Sequence, residues 1–250
     1  MVCRRHLAEL CRARAKVRRK NGFTHQPAWQ DHGAHIVQRS EREGVDVSHV
    51  SVQAGATAQQ DIALAAAGER IFPPGGYRPG VLDGYSLQES HLQFVLKHNV
   101  LASAWFKQTE SLFRQVMVNF PYDGWRVADF LDLSDYNKST GIIEQIHEKL
   151  TIAFVSGNPQ MVERLRPLSR NTPCLIIVTL GAEGSVALLN GEPAVQPSFK
   201  VAAPVDSTGC GDAFQAAFTV TYWNERDVRR ALTHAAQYAA RVVQHLGAIG

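Results

Sequence analysis

The sequence has no apolar run long enough to cross a bilayer. Its longest aliphatic stretches, such as CLIIV at residues 174–178, are as long as a strand and fall well short of the roughly 20 residues that a membrane-spanning helix needs. Cysteine is also scarce, and the four at positions 3, 11, 174 and 210 form no CxxC pair and no zinc-ligand spacing. These absences favour a cytoplasmic protein with reduced thiols and no membrane partner.

Excess positive charge is confined to the amino-terminal end. Eight of the 26 basic residues and one of the 23 acidic residues lie in the first twenty positions, so the other 230 positions contain 18 basic and 22 acidic residues. This mildly acidic body makes a nucleic-acid partner unexpected. We interpret residues 1–30 as an unrelated or disordered basic head. An RNA- or membrane-attracted arm and a transit peptide are alternatives, the last disfavoured because no serine precedes Ser40.

Residues 31–250 have the pattern of one α/β domain that begins with a small β flap. A short helix is predicted over 35–43 and a half-buried strand over 45–52. Strands over 57–64 and 70–72 are expected to form a hairpin before the PPGG break at 73–76. We interpret residues 51–82 as the flap.

From residue 87 onward, helices of about ten residues alternate with short, nearly all-apolar strands. The predicted order is helix 87–97, strand 100–104, helix 110–119, strand 126–131, helix 140–149, strand 152–155, a helix after Asn158, strand 174–179 and a periodic final helix over 228–246. This alternation predicts a mostly parallel sheet covered by helices on both faces. Such sheets bind ligands beyond the carboxyl ends of their strands, so functional residues are expected just after strands.

The segment DSTGCGDAF at residues 206–214 has the clearest chemical pattern. Gly209 and Gly211 flank Cys210, Asp212 follows, and apolar residues then recur at helical spacing. Glycines at a helix start allow a tight turn whose N–H groups, with the helix dipole, hold an anion such as phosphate. An aspartate there is explained if it takes the proton from a hydroxyl that attacks a phosphoryl group. A glycine-rich helix start with an inert carboxylate is the alternative for G-x-G-D alone.

The whole segment resembles the D-T-x-G-A-G-D pattern of the ribokinase-like, or PfkB, family of carbohydrate kinases. The residues that fit are Asp206, Thr208, Gly209, Gly211 and Asp212, while Ser207 and Cys210 replace the usual Thr and Ala. The resemblance implies a three-layer, ribokinase-like α/β fold, with helices on both faces of a mostly parallel sheet and a small β lid. It also implies that Asp212 is the general base and that the amides of Gly209, Cys210 and Gly211 form the anion hole.

Further segments imply a nucleotide site. The TLGAEG turn at 179–184 is similar to the family's T-x-G-x-x-G, which implies that Thr179, Gly181 and Gly184 border ATP; a simple hairpin turn explains this spacing equally well. His234 in the final helix corresponds to the adenine wall. No G-x-x-x-x-G-K-[ST] occurs, so a Walker-type loop is excluded.

Two cations are implied by the same resemblance. Asn158 matches the first position of the family's N-x-x-E motif, which orders Mg²⁺, but Met161 stands where Glu is expected. Either Glu163 substitutes for that Glu, or the nucleotide phosphates hold most of the magnesium. Asp206 and Thr208 match the ligands of a potassium ion, which makes K⁺ activation a further hypothesis.

The first functional hypothesis is therefore ATP-dependent phosphorylation of a hydroxyl of a sugar or sugar derivative. The segment GVDVSHV at 44–50 looks most like the fructoselysine 6-kinase subfamily, with adenosine and 2-keto-3-deoxygluconate kinases as alternatives. The second hypothesis is a non-catalytic, truncated remnant that binds nucleotide or a full-length homologue. Two observations favour it. Met161 stands where the magnesium motif has Glu, and the family's G-G-x-x-x-N segment, which binds the sugar hydroxyls, is not recognisable in residues 1–30. A homodimer through the β flap is also expected.

Overall fold

A computed structural model describes residues 29–64 and 70–247 of the chain. The helices are α1 (Trp29–Arg42), α2 (Glu89–Val95), α3 (Glu110–Arg114), α4 (Gly141–Ile146), α5 (Pro159–Ser169), α6 (Cys210–Glu225) and α7 (Val228–Val242). The strands are β1 (Gln59–Gln60), β2 (Ala63–Leu64), β3 (Arg70–Ile71), β4 (Tyr77–Arg78), β5 (Val100–Ala104), β6 (Trp125–Asp129), β7 (Ile152–Ser156), β8 (Leu175–Thr179), β9 (Ser185–Leu189) and β10 (Glu192–Gln196). Helix α3 continues as a π-helix over Gln115–Asn119.

The sheet of six strands has the order β10-β9-β8-β7-β6-β5. Strands β5 to β8 are parallel, and β9 and β10 are added antiparallel at one side. The carboxyl ends of the parallel strands, at Ala104, Asp129, Ser156 and Thr179, therefore lie along one edge, which we call the carboxyl edge. The predicted mostly parallel sheet is confirmed.

Helices cover both faces of this sheet because its strands are apolar on both sides. In β7, Ile152 and Phe154 belong to the cluster that contains α6 and α7, whereas Ala153 and Val155 belong to the cluster that contains α2, α4 and α5. Successive side chains of a strand point to opposite faces, so a strand buried on both faces must be apolar throughout. The result is the predicted three-layer α/β architecture.

The direction of α6 brings its first turn to the carboxyl edge. Near its start, Phe214 lies edge-on to Phe154 in the second half of β7, with ring centroids 6.4 Å apart. Near its end, Trp223 lies 4.8 Å from Trp125, the first residue of β6. The helix thus runs antiparallel to the strands, and its amino-terminal end lies where ligands of parallel sheets bind.

The flap region contains two short antiparallel ladders, β1 with β4 and β2 with β3. The predicted pairing of the first flap strand with 70–72 is confirmed over two residues, and the connection at 65–69 lies outside the described residues. The predicted continuous strand over 57–64 is wrong, since the chain changes partner at Asp61. The Asp61 N–H donates to the Gly76 carbonyl, and the Asp61 carboxylate accepts hydrogen bonds from both terminal nitrogens of Arg78, at 2.8 and 3.0 Å.

The predicted strand over 45–52 is also wrong. Side chains do alternate between half-buried and exposed over 45–50, but the backbone forms local turns. The Ser48 N–H donates to the Asp46 side chain at 2.9 Å, and Val50 N–H donates to the Val47 carbonyl at 2.9 Å. Aspartate and serine offer the backbone such local bonds in place of a ladder.

Several predicted boundaries shift by a few residues. The helix predicted over 35–43 begins at Trp29, the strand predicted over 126–131 ends at Asp129, and the final helix ends at Val242. The basic head predicted over 1–30 lies almost wholly outside the described residues, so the division at residue 30 stays a prediction. No helix in the described ranges is both long and apolar enough to span a membrane.

Candidate active site

The turn that leads into α6 is shaped by a glycine in the left-handed region. Gly209 has φ 83° and ψ −8° and is the N-cap residue of the helix. A residue with a Cβ adopts this conformation only with strain. Cys210 N–H donates to the Ser207 carbonyl at 3.2 Å, and Ala213 N–H makes the first helical bond, to Gly209, at 2.9 Å. A Cβ added at Gly211 would meet nothing within 4 Å, so the space beside Gly211 is open.

Hydrogen bonds to the Asp206 carboxylate hold this turn in place. Its side chain is fully buried, and one oxygen accepts hydrogen bonds from Thr208 N–H at 2.8 Å and from the Thr208 hydroxyl at 2.6 Å. The other oxygen accepts from Gly247 N–H at 2.9 Å. A buried carboxylate must be satisfied by donors of this kind, and here they join the α6 turn to the segment after α7.

Asp212 is the third residue of α6 and is partly buried. A carboxylate in the first helical turn is stabilised by the positive end of the helix dipole. The structure brings Asp212 into one turn with Gly209, Cys210 and Gly211. That arrangement combines backbone N–H donors with one carboxylate at the carboxyl edge, next to open space. The catalytic roles of these residues stay predictions.

The predicted nucleotide segment lies at the same edge. The Thr179 hydroxyl bonds the Ser156 hydroxyl at 3.1 Å, joining the carboxyl ends of β8 and β7. Gly181 and Gly184 have φ 59° and 108°, and a Cβ at Gly184 would lie 2.1 Å from the Gln196 carbonyl oxygen. Gly184, directly before β9, therefore lies so close to the end of β10 that only glycine fits there, whether or not the turn also borders a nucleotide.

The predicted magnesium segment departs from the family pattern in three dimensions as well as in sequence. Asn158 is the N-cap of α5, and its side-chain oxygen accepts from Met161 N–H at 3.0 Å. Met161 is buried in the core, whereas Glu163 is exposed. Two positions along a helix correspond to about 200° around its axis. Glu163 therefore faces away from the direction of Met161, and these residues do not fit the magnesium carboxylate of the motif.

His234 contacts α6 rather than the phosphate turn. Its Nδ1 lies 2.7 Å from the Thr221 hydroxyl, and its ring lies edge-on to Tyr238 at 5.0 Å. Thr221 follows Asp212 by nine residues, or about 14 Å along the helix axis. The adenine-wall role of His234 stays a prediction.

One segment of this edge was missed by the sequence reasoning, namely residues 130–138, which we call the β6 loop. Leu131, Leu133, Asn137 and Lys138 all have φ between 53° and 59°. The loop directly follows a parallel strand and is rich in the turn-forming residues Asp, Ser and Asn, which is the signal that could have indicated it.

Comparison with protein families explains the combination of a glycine turn, an aspartate and a mostly parallel sheet. Residues 140–250, which include α5, α6, α7 and the turn between β8 and β9, match the pfkB family carbohydrate kinase model. This match makes the carboxyl-terminal part of the chain similar to the pfkB family. The chain is a carbohydrate kinase, and its similarity to kinases of this type implies use of ATP.

Relatives of this kinase extend the similarity toward the amino terminus. Fructoselysine 6-kinase of Escherichia coli is 28% identical over 222 residues, which cover 87% of this chain and 80% of that protein. Adenosine kinase from Sinorhizobium meliloti has the same fold, with TM-score 0.74, 17% identity and coverage of 98% of this chain and 77% of that one. Ribokinase of Arabidopsis thaliana, solved with ribose and ATP, has TM-score 0.63, 19% identity and coverage of 97% and 81%. The fold is therefore ribokinase-like, as expected.

Proposed function

We propose that this kinase transfers the γ-phosphoryl group of ATP to a hydroxyl of a sugar derivative, with Asp212 as the general base. The observation that carries the proposal is the first turn of α6, which combines Asp212 with the backbone N–H groups of a glycine-rich turn and has open space beside Gly211. In the reaction, Asp212 accepts the hydroxyl proton while the acceptor oxygen forms a bond to the γ-phosphorus. The bond from that phosphorus to the bridging oxygen breaks, and ADP leaves.

The main-chain donors contribute by stabilising charge. The amides of Gly209, Cys210 and Gly211 lie at the positive end of a 16-residue helix, and the Cys210 amide, which donates to the Ser207 carbonyl at 3.2 Å, would be shared with the phosphoryl group. Donors fixed in advance need no reorganisation when negative charge develops on the transferred group, which is why such sites are effective. Cys210 contributes through its backbone, so its replacement of the usual alanine is compatible with this role.

The acceptor we propose is fructoselysine or a closely similar fructosamine. The proposal is supported by the 28% identity to fructoselysine 6-kinase over most of both chains. It is also supported by the position of the flap, where Tyr77 of β4 lies edge-on to Phe106, directly after β5, at 5.8 Å. This contact brings the flap to the carboxyl edge, where an acceptor must lie to reach Asp212.

Two cations are part of the proposal. Magnesium, when bound, would neutralise charge on the nucleotide phosphates; among the described residues no group of three or more His, Cys, Asp or Glu side chains is arranged to hold a metal. Asp206 and Thr208 would hold a potassium ion beside the anion hole. Comparing turnover in potassium and sodium salts at equal ionic strength tests the second cation, and equal rates would reject it.

The experiment that tests the function is ADP release by the full chain over a panel of acceptors. We expect turnover with fructoselysine to exceed turnover with ribose, fructose and adenosine. Higher kcat/KM for one of the other three would overturn the acceptor assignment. Binding of ATP without turnover on any acceptor would instead support the non-catalytic remnant.

A further inference from the structure

The β6 loop is held in an unusual conformation by contacts on three sides. Leu131 accepts a hydrogen bond at its carbonyl from Ser156 N–H, the last residue of β7, at 2.6 Å. Leu133 is almost fully buried in the core. The Tyr136 hydroxyl donates to Glu110 of α3 at 2.9 Å, and the pKa of Tyr136 is raised by burial and by that carboxylate. Strained backbone persists only where the surroundings determine it this fully, and such segments cluster at functional sites.

The same loop orients one ammonium group. Lys138 Nζ donates to the Asp132 carboxylate at 2.6 Å, to the Asp132 carbonyl at 2.9 Å and to the Ser134 hydroxyl at 3.0 Å. Although it is held on one side, the Lys138 side chain is 57% exposed. Burial alone would raise the pKa of the Asp132 carboxyl, but the hydrogen bonds from Lys138 and Ser134 outweigh it and lower that pKa, so the carboxyl is ionised at neutral pH. An ammonium aligned by a carboxylate is the arrangement by which protein kinases aim a lysine at nucleotide phosphates.

The position of Lys138 relates it to the proposed phosphate site. Its carbonyl accepts from the guanidinium of Arg164 on α5 at 2.9 Å, so the loop lies along the helix that Asn158 caps. Within the loops that directly follow β5 to β8, the described lysines are Lys107 and Lys138. Lys138 therefore offers an oriented positive charge at the carboxyl edge, beside the helix where Met161 replaces the expected carboxylate.

We propose that Lys138, aligned by Asp132, binds the β- and γ-phosphates of the nucleotide during phosphoryl transfer. An incoming phosphate oxygen would take the place of the Ser134 hydroxyl as the third acceptor of the ammonium, so that Lys138 keeps its bonds to Asp132. In the family motif, a Glu helps to position the positive charge of Mg²⁺. Here Lys138 would supply positive charge from the protein itself. The inference rests on the proposed function, because it assumes that the nucleotide lies at this edge.

The test compares nucleotide binding with turnover in Lys138→Met, Lys138→Arg and a control, Lys149→Met. Lys149 is exposed and precedes β7, so it lies at the opposite edge of the sheet. We expect Lys138→Met to weaken ATP binding about 10-fold while AMP binding, which lacks both outer phosphates, stays within about 2-fold. We expect kcat/KM to fall about 100-fold, and Lys138→Arg to recover most of the ATP affinity because it keeps the charge.

Other outcomes have definite meanings. An unchanged ratio of ATP to AMP affinity in Lys138→Met overturns the proposal, as does an equal loss of ATP affinity in Lys149→Met. Parallel loss of ATP and AMP binding in Lys138→Met assigns the lysine a merely structural role and also overturns it. If the unaltered chain turns over no acceptor, the proposed function fails, but the ratio of the two affinities still decides the role of Lys138.

Discussion

The buried carboxylate of Asp206 accepts a hydrogen bond from the backbone N–H of Gly247, 41 residues later, at 2.9 Å. The same side chain accepts two bonds from Thr208 inside the anion-binding turn. One carboxylate thus joins the start of α6 to the segment that follows α7. The geometry of the proposed site therefore depends on the carboxyl-terminal end of the described chain.

Replacement of Asp206 by Ala should destabilise the fold strongly. The substitution leaves the donors of Thr208 and Gly247 without a buried acceptor, and loss of one partner of such a network costs about 3 kcal/mol. Thr208→Val removes only the hydroxyl bond and should cost about 1 kcal/mol. Urea unfolding measures both variants. Equal stabilities of the two variants would show that the carboxylate does not hold the turn.

Replacement of two glycines of the site by alanine should affect stability to very different extents. Gly184→Ala would place a Cβ 2.1 Å from a carbonyl oxygen at φ 108°, so we expect poor folding or a loss of at least ~3 kcal/mol. Gly211→Ala meets open space and should change stability by less than about 1 kcal/mol. Its methyl group would nevertheless enter the proposed phosphate position and reduce kcat/KM by about 100-fold.

Thermal melts and steady-state kinetics on the same preparations separate these effects. Full activity of a folded Gly211→Ala protein would mean that the open space beside Gly211 does not receive the phosphoryl group. Normal stability of Gly184→Ala would contradict the close approach of Gly184 to the Gln196 carbonyl.

Stability should fall at alkaline pH because of a buried thiol. Burial raises the pKa of Cys174 from 9.0 to about 12. The thiol ionises above pH 9 in the unfolded chain but stays neutral in the folded one. The contribution of this thiol to the free energy of unfolding is therefore complete below pH 9. It is lost as pH rises toward 12, at about 1.4 kcal/mol per pH unit.

Urea unfolding at pH 8 and pH 10 checks this linkage against Cys174→Ala. The free energy of unfolding of the unaltered chain should drop by about 1.4 kcal/mol more than that of the variant over this interval. The comparison of the two drops removes the constant effect of the smaller side chain. Parallel curves would show that Cys174 is not the group responsible.

Much of this fold could be predicted because its central strands are apolar on both sides. Segments such as Leu175–Thr179 are typical of a sheet covered on both faces, and their alternation with helices favours parallel strands. The glycines at 209 and 211 similarly carry a local signal for an anion-binding helix start. These features are encoded within a few neighbouring residues.

The remaining features depend on contacts that are distant in sequence or on rare conformations. The alternation over 45–52 resembled a strand, yet the side chains of Asp46 and Ser48 form turns instead. Left-handed backbone at Leu131 and Leu133 could not be expected, since leucine gives no indication of positive φ. The core position of Met161 could not be predicted either, because only the packing of α5 against the sheet decides which face of the helix is buried.

The most direct test of the central claim is turnover by Asp212→Asn with fructoselysine and ATP, measured together with ATP affinity. The side chains are equal in size, but the amide accepts no proton. We predict that kcat falls between about 10²- and 10⁴-fold while ATP affinity is retained. Turnover equal to that of the unaltered enzyme would contradict the account, because the carboxylate at the first turn of α6 would then have no part in the chemistry.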